Sequence, residues 1–381
     1  MQTGAKALCQ ALRMRQRKSR RRKALVTVAP LLCCSFLLSH AKANMQPDQG
    51  IAAIRHLDYQ DFQEGADRIR VRTTSVLLMT PVGERWSTQA VASVDSVSGA
   101  SPYVQATELR YLKDLRRAAD LNLTHYGADH STSVTLSHSN EADYLSRAIT
   151  ALYTRASTNR NLTLSIGLSA AQDTIRPVNR IVDVEEKKTQ AALISASLVL
   201  SPNDVVQANL SRTTSRGYHS DPYKFADERP DRREADVVTL RWNHHFESTR
   251  SSLRLSQRLL RNDWGIRSQT FSAEYVLPFS DRVSIVPLAR WYQQTAASFY
   301  VPASKSQFPF GPRPGQLYSE DQRLAAFGAV TLGAQVLVRL GAGWQMDIKI
   351  ENMSSVQSGV CIVRGPKALF LLERGCFKSV C

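Results

Sequence analysis

Apolar and polar residues alternate with a period of two through most of this chain. In "NLTLSIGLS" (Asn161–Ser169), Leu162, Leu164, Ile166 and Leu168 fall on one face, and Thr163, Ser165, Gly167 and Ser169 on the other. "RWSTQAVASVD" (Arg85–Asp95) sets Trp86, Ala90, Ala92 and Val94 against Arg85, Ser87, Gln89 and Ser93. "VVQANLSR" from Val205 repeats the pattern, as does "RVSIVPLARW" from Arg282, with Val283, Ile285, Ala289 and Trp291 in register. Successive side chains of a strand point to opposite faces, so the pattern predicts strands with one apolar and one polar face. No sustained helical period competes with it.

A soluble sandwich produces the same alternation, because its outer face is wet. The connections separate the two readings. Those starting at Pro81, Gly127, Ser201, Glu247 and Phe279 are tight and rich in Gly, Pro, Asn, Asp and Ser. Those over 96–116, 172–188, 215–235 and 294–322 are long and charged. Short turns at one end and long loops at the other are the build of a transmembrane barrel, in which a closed cylinder leaves no backbone amide unpaired in hydrocarbon. Trp86, Tyr126, Tyr153, Trp242, Phe246, Tyr275 and Trp291 sit near strand ends, as interfacial girdles require. The predicted fold is all-β, an antiparallel transmembrane β-barrel over residues 67–352, with about 14 strands visible of about 16. Residues 44–66 read either as a periplasmic arm or as an extra first strand.

The ends of the chain alter the charge argument. "MRQRKSRRRK" (Met14–Lys23) precedes the apolar "ALVTVAPLLCCSFLLS" and then "AKAN", where Ala41 and Ala43 suit a cut after Ala43. Residues 1–43 therefore read as a secretory signal peptide. Removing them lowers the formal charge from +16 to +6, too little to argue for nucleic acid. Cys9, Cys33 and Cys34 lie in this leader and Cys361, Cys376 and Cys381 in the last stretch. The body thus has neither a disulfide framework nor a thiolate metal site. Residues 353–381 lose the alternation and read as an aberrant non-barrel tail from a truncated or frameshifted end.

"LDYQDFQEGADRIRV" (Leu57–Val71), "DSVSGASP" from Asp95, "SDPYKFADERPDRR" from Ser220, "RWNHHF" from Arg241, "NDWGIRSQTF" from Asn262 and "YSEDQRLAAFGAVTLG" from Tyr318 occur in this order. With "NRNLTLSIG", "LARWYQQTAASFY" and "GWQMDIKIE" they resemble a bacterial outer-membrane family known as domain of unknown function 3570. The resemblance runs from Leu57 to Glu351 and implies an outer-membrane barrel without an established activity. It also implies about two further strands beyond Asn352, where the match stops.

The candidate chemistry is sparse. His244 and His245, adjacent on a strand, face opposite ways, and His125, His130 and His138 lack zinc spacing, so neither a metal nor a cofactor is expected. "DSVSGASPYV" (Asp95–Val104) lacks both a helix start for a phosphate cradle and the G-x-S-x-G of a nucleophile elbow. It reads as the start of an outer loop, with Asp95 and Ser98 at the lumen rim. Arg70, Arg72, Arg212, Arg241, Arg254 and Arg258 are predicted to face inward, where they either favour anions, as arginine rings do in pores, or pair with inward acids in a plugged, closed barrel. The loop Ser220–Asp236 mixes Asp221, Asp227, Glu228, Asp231 and Asp236 with Lys224, Arg229, Arg232 and Arg233, which belong either to a ligand or calcium site or, the favoured reading, to charges that pair with one another or with lipopolysaccharide phosphates.

The leading expectation is a pore for small polar or anionic solutes, not an enzyme. A non-conducting scaffold or export partner of a periplasmic redox or cofactor system comes second, and an outer-membrane hydrolase third. Expected partners are outer-membrane lipid, lipopolysaccharide and the barrel assembly machinery, with no nucleic acid; the scaffold reading adds a periplasmic partner.

Overall fold

The computed structural model describes residues 45–63, 66–99, 112–357, 360–361, 367–372 and 375–377. Fifteen long strands follow one another: β1 (Gly50–Gln63), β2 (Ala66–Val82), β3 (Trp86–Gly99), β4 (Leu112–Tyr126), β5 (His130–Asn140), β6 (Tyr144–Ala156), β7 (Leu162–Ile175) and β8 (Glu185–Ser201), then β9 (Asp204–Gly217), β10 (Arg232–Phe246), β11 (Ser251–Asn262), β12 (Arg267–Pro278), β13 (Val283–Gln294), β14 (Phe327–Gly341) and β15 (Trp344–Gln357). Each pairs antiparallel with the next in a single sheet. The stretch Gly50–Gln63 is thus a first strand, paired with β2 from Ile51↔Met79 to Gln63↔Ala66.

The fifteen strands do not close by direct pairing of β1 with β15. Three short strands follow, β16 (Val360–Cys361), β17 (Lys367–Leu372) and β18 (Gly375–Phe377). Of these, β17 pairs with β15 at Asp347↔Leu371 and with β1 at Arg55↔Leu371. Within residues 353–381, read above as a tail, β15 therefore continues to Gln357 and a further segment lies between the two ends of the row.

The connections sort by end. The β2–β3, β4–β5, β8–β9, β10–β11 and β14–β15 links are turns of a few residues at one rim, where Gly83 takes φ +61°. Residues 176–184, 218–231 and 295–326 form long loops at the other rim, beside short links at 141–143 and 263–266. By the construction of bacterial barrels the short rim is periplasmic and the long one external.

The apolar face is the exposed one. Leu78, Leu121, Leu136, Ile149, Leu168, Ile194, Leu210, Leu240 and Leu332 are each about half or more uncovered. In water this surface would be an extended sticky patch; in a bilayer it meets acyl chains. Small polar residues fill the other face, with Thr150 hydrogen-bonded to Ser169 and Thr154 to Ser165 across β6 and β7. At the periplasmic rim rings stack along the outer face. Trp86 lies 4.7 Å from His125, and Phe246 lies 4.5 Å from His244 and 6.1 Å from Tyr275. Tyr126, expected in that girdle, instead turns inward to Ser87, at 3.0 Å between hydroxyls. Trp291 lies exposed on the outer face toward the external end of β13, a girdle position at the other rim.

Candidate functional site

Strand register assigns each predicted arginine to a face. Val238, Leu240 and Trp242 mark the lipid side of β10, so Arg241 between them points inward. Opposite it stands Ser256, which faces Ser272, which faces Arg290 on β13. Two residues to either side of Ser256 on the same face of β11 lie Arg254 and Arg258. Four arginines therefore surround a pair of serines on the inner wall of β10–β13. Glu274 is the inward carboxylate beside them, 3.9 Å from Arg254. Arg241 reaches Gln207 at 3.5 Å.

Arg290 was not among the sequence candidates, although alternation with Ala289 and Trp291 places it inward. Its arginine neighbours lie on other strands, and only register shows that they form one patch.

Three predicted lumen arginines lie elsewhere. Arg70 and Arg72 share the face of Val76 and Leu78 and pair with Asp58 on β1, Arg72 at 3.4 Å. Arg212 shares the face of Leu210 and pairs with Glu234 at 2.5 Å and Asp236 at 3.6 Å. Near the external rim both faces of a strand are polar, so composition no longer marks the inside there. Asp95 does face inward, buried, and accepts from Arg116 Nε at 2.6 Å. Ser98 occupies the strand position opposite Arg70, and its side chain lies outside the described residues, as do residues 100–111 of the loop expected to follow.

The external loops carry a second set of charges. Asp221 and Lys224 belong to it, whereas Asp231 is exposed and Arg232 turns out to Glu234. Arg323 donates to Asp221 Oδ2 at 2.7 Å and, through Nε, to Asp321 Oδ2 at 2.7 Å. Arg229 bridges Asp227 at 2.7 Å and Asp321 at 2.9 Å, and Lys224 lies 3.7 Å from Asp321. The Ser319 hydroxyl donates to Asp227. Backbone bonds between Glu228 and Tyr318, 2.8 and 2.9 Å, fasten the loops 218–231 and 295–326 directly. Tyr223 extends the network to Asp143 at 2.6 Å, in the β5–β6 turn.

Burial drives up the Asp227 carboxyl against the pull of Arg229. For Asp321, burial is outweighed by Arg323, Lys224 and Arg229, which hold it well below the carboxylate range. Isolated buried charges are costly, so a set in which every acid meets an arginine, a lysine or a hydroxyl is a structural clasp rather than an open cation site. Among the described residues no group of His, Cys, Asp or Glu is arranged to hold a metal ion.

Under the clasp lies a small apolar core of Trp264, Ile266, Ala297, Phe299 and Leu324. Arg233 lies over the Trp264 ring, 5.1 Å from its centroid. Asp227, Arg229 and Arg233 lay in the charged loop that the sequence singled out, and the Asp227–Arg229 pair follows its favoured reading; Asp143, Asp321, Arg323 and the apolar core residues were missed because they are single positions in loops without periodicity.

CdiB from Acinetobacter baumannii resembles the structure at a TM-score of 0.51 and 8% identity, covering 87% of this chain and 60% of its own. OccD3 (OpdP) of Pseudomonas aeruginosa gives 0.47 at 9% identity over 87% and 93% of the two chains. The siderophore receptor PirA from Pseudomonas aeruginosa gives 0.43 at 11% over 86% and 60%. The chain thus spans about 60% of the length of CdiB and PirA. A comparison with curated proteins found no match. At 8% identity the likeness to CdiB concerns the fold alone. The family described as "Protein of unknown function (DUF3570)" matches residues 108–358, most of the strands and all of the clasp, and the chain belongs to it.

Proposed function

We propose that the protein is an outer-membrane channel whose lumen favours small anionic solutes. The observation that carries this reading is the inner wall of β10–β13, where Arg241, Arg254, Arg258 and Arg290 surround Ser256 and Ser272, with Glu274 as the adjacent inward carboxylate. Guanidinium groups stay charged at any physiological pH and bind carboxylates or phosphates through two parallel hydrogen bonds. The serine hydroxyls between them supply rotatable donors. An anion passing this wall exchanges hydration for these donors, and the spread of four cations offers successive weak sites rather than one deep trap.

The test is conductance of the purified full chain in a planar bilayer under a salt gradient. A reversal potential of the sign set by chloride supports the reading. Cation preference, or a sealed bilayer at every salt concentration, overturns it, and the latter returns the scaffold reading to the front.

A further inference from the structure

The lipid-facing side of the sheet changes abruptly where its apolar band ends toward the external rim. On β6 Arg147 follows Ile149 on the outward face, on β9 Arg212 follows Leu210, and on β11 Arg261 follows Leu259. Register aligns part of this collar into a row. Arg147 stands opposite Gln172, Gln172 opposite Lys188, Lys188 opposite Arg216, and Arg216 opposite Arg232.

Three consecutive cations on neighbouring strands are an unfavourable arrangement by themselves, since directly opposed like charges destabilise a sheet. Among the described residues local acids relieve it only at Arg232, and Glu186, on the face of Lys188, accepts from Gln172 at 3.5 Å. Glu234 is taken by Arg212 and Arg232, and Asp236 by Arg212 and Arg261. Arg147, Lys188 and Arg216 form no ion pair among the described residues, and all three are exposed. At the periplasmic rim, by contrast, Arg155 is paired with Asp129 at 3.1 Å and His244 with Asp204 at 2.8 Å.

We propose that Arg147, Lys188 and Arg216 form a docking surface for the phosphate groups of the outer-leaflet glycolipid, lipopolysaccharide. The height fits, because the collar begins at the outer edge of the apolar band, where headgroups replace acyl chains. The charge fits, because phosphates set between Lys188 and Arg216 turn a repulsive row into alternating charge. Guanidinium and ammonium groups there take the place of the divalent cations that otherwise bridge neighbouring glycolipid phosphates. The surface is separate from the lumen wall and does not depend on whether the barrel conducts.

The experiment loads the full chain, refolded in detergent, with purified lipopolysaccharide and counts the glycolipid retained per barrel, with and without EDTA. Wild type retains it in EDTA. The K188Q/R216Q variant binds about 30-fold more weakly, as expected for loss of two cations at a charged lipid surface. R155Q, at the opposite rim, binds like wild type. Heat-dependent gel mobility reports folding, and R147Q gives an independent, smaller loss if the double variant does not fold. Equal retention by wild type and both collar variants overturns the proposal, as does complete loss from wild type in EDTA. Equal retention of phosphatidylglycerol in place of the glycolipid overturns the assignment of the ligand.

Discussion

Arg323 Nη2 donates to Asp221 Oδ2 at 2.7 Å, joining two external loops whose residues are 102 positions apart in sequence. The same guanidinium holds Asp321, which is 1% exposed, so one side chain neutralises two buried carboxylates. Replacing it leaves both acids without their main partner.

Arg323→Ala is therefore expected to open the clasp. Removing one partner of a buried ion pair costs about 3–5 kcal/mol, here charged to the loops rather than to the strands. Limited proteolysis of membranes carrying the variant should produce new cuts within residues 295–326 while the heat-dependent mobility of the barrel is unchanged. Continued protection of that loop would show that the Glu228–Tyr318 backbone bonds suffice.

His219 makes the loop region sensitive to acid. Burial lowers its pKa from 6.5 to about 4; the Gly217 carbonyl opposes the shift, and Lys187, Arg233 and Arg229 add to it. The folded state thus favours the neutral ring, which bonds Ser215 at 2.7 Å and packs 5.5 Å from Trp264. The resulting stability is present above the unfolded value of 6.5 and is lost as pH falls from there toward 4. Buried Asp227, whose pKa is raised, works in the opposite direction. Amide exchange around Ser215 and Trp264 should be faster at acidic than at neutral pH, and His219→Gln should flatten that dependence.

Gly217 ends β9 with φ +116°, and a Cβ there would lie 2.1 Å from the Glu186 carbonyl oxygen. Gly217→Ala should lower stability by about 1–3 kcal/mol from backbone strain alone, with the clash in addition. Gly83→Ala, in a periplasmic turn at φ +61° with open space around the new methyl, should cost less. Urea midpoints of the two variants in detergent or vesicles make the comparison.

Single changes on the lumen wall should move ion preference in opposite directions. Arg258→Gln and Arg290→Gln each bring the reversal potential closer to zero, and Glu274→Gln shifts it further toward the anion value. Equal shifts of the same sign for Arg258→Gln and Glu274→Gln would mean that this wall does not meet the permeating ion.

The sequence by itself determined the strand architecture and its surroundings. Side chains alternate with a strict period of two, so Leu162, Leu164, Ile166 and Leu168 had to share a face, and an up-and-down antiparallel order put the long links 176–184, 218–231 and 295–326 at one rim. Only the tertiary structure decided which charges meet. Near the external rim both faces of a strand are polar, and parity there gives no contrast between inside and outside; Arg70, Arg72 and Arg212 consequently lie on the outer face. Arg290 has a legible face, but its closeness to Arg241 depends on the registers of three strand pairs. The clasp depends on loops that follow no period, and Asp221 finds Arg323 only because β9–β14 bring their ends to one rim.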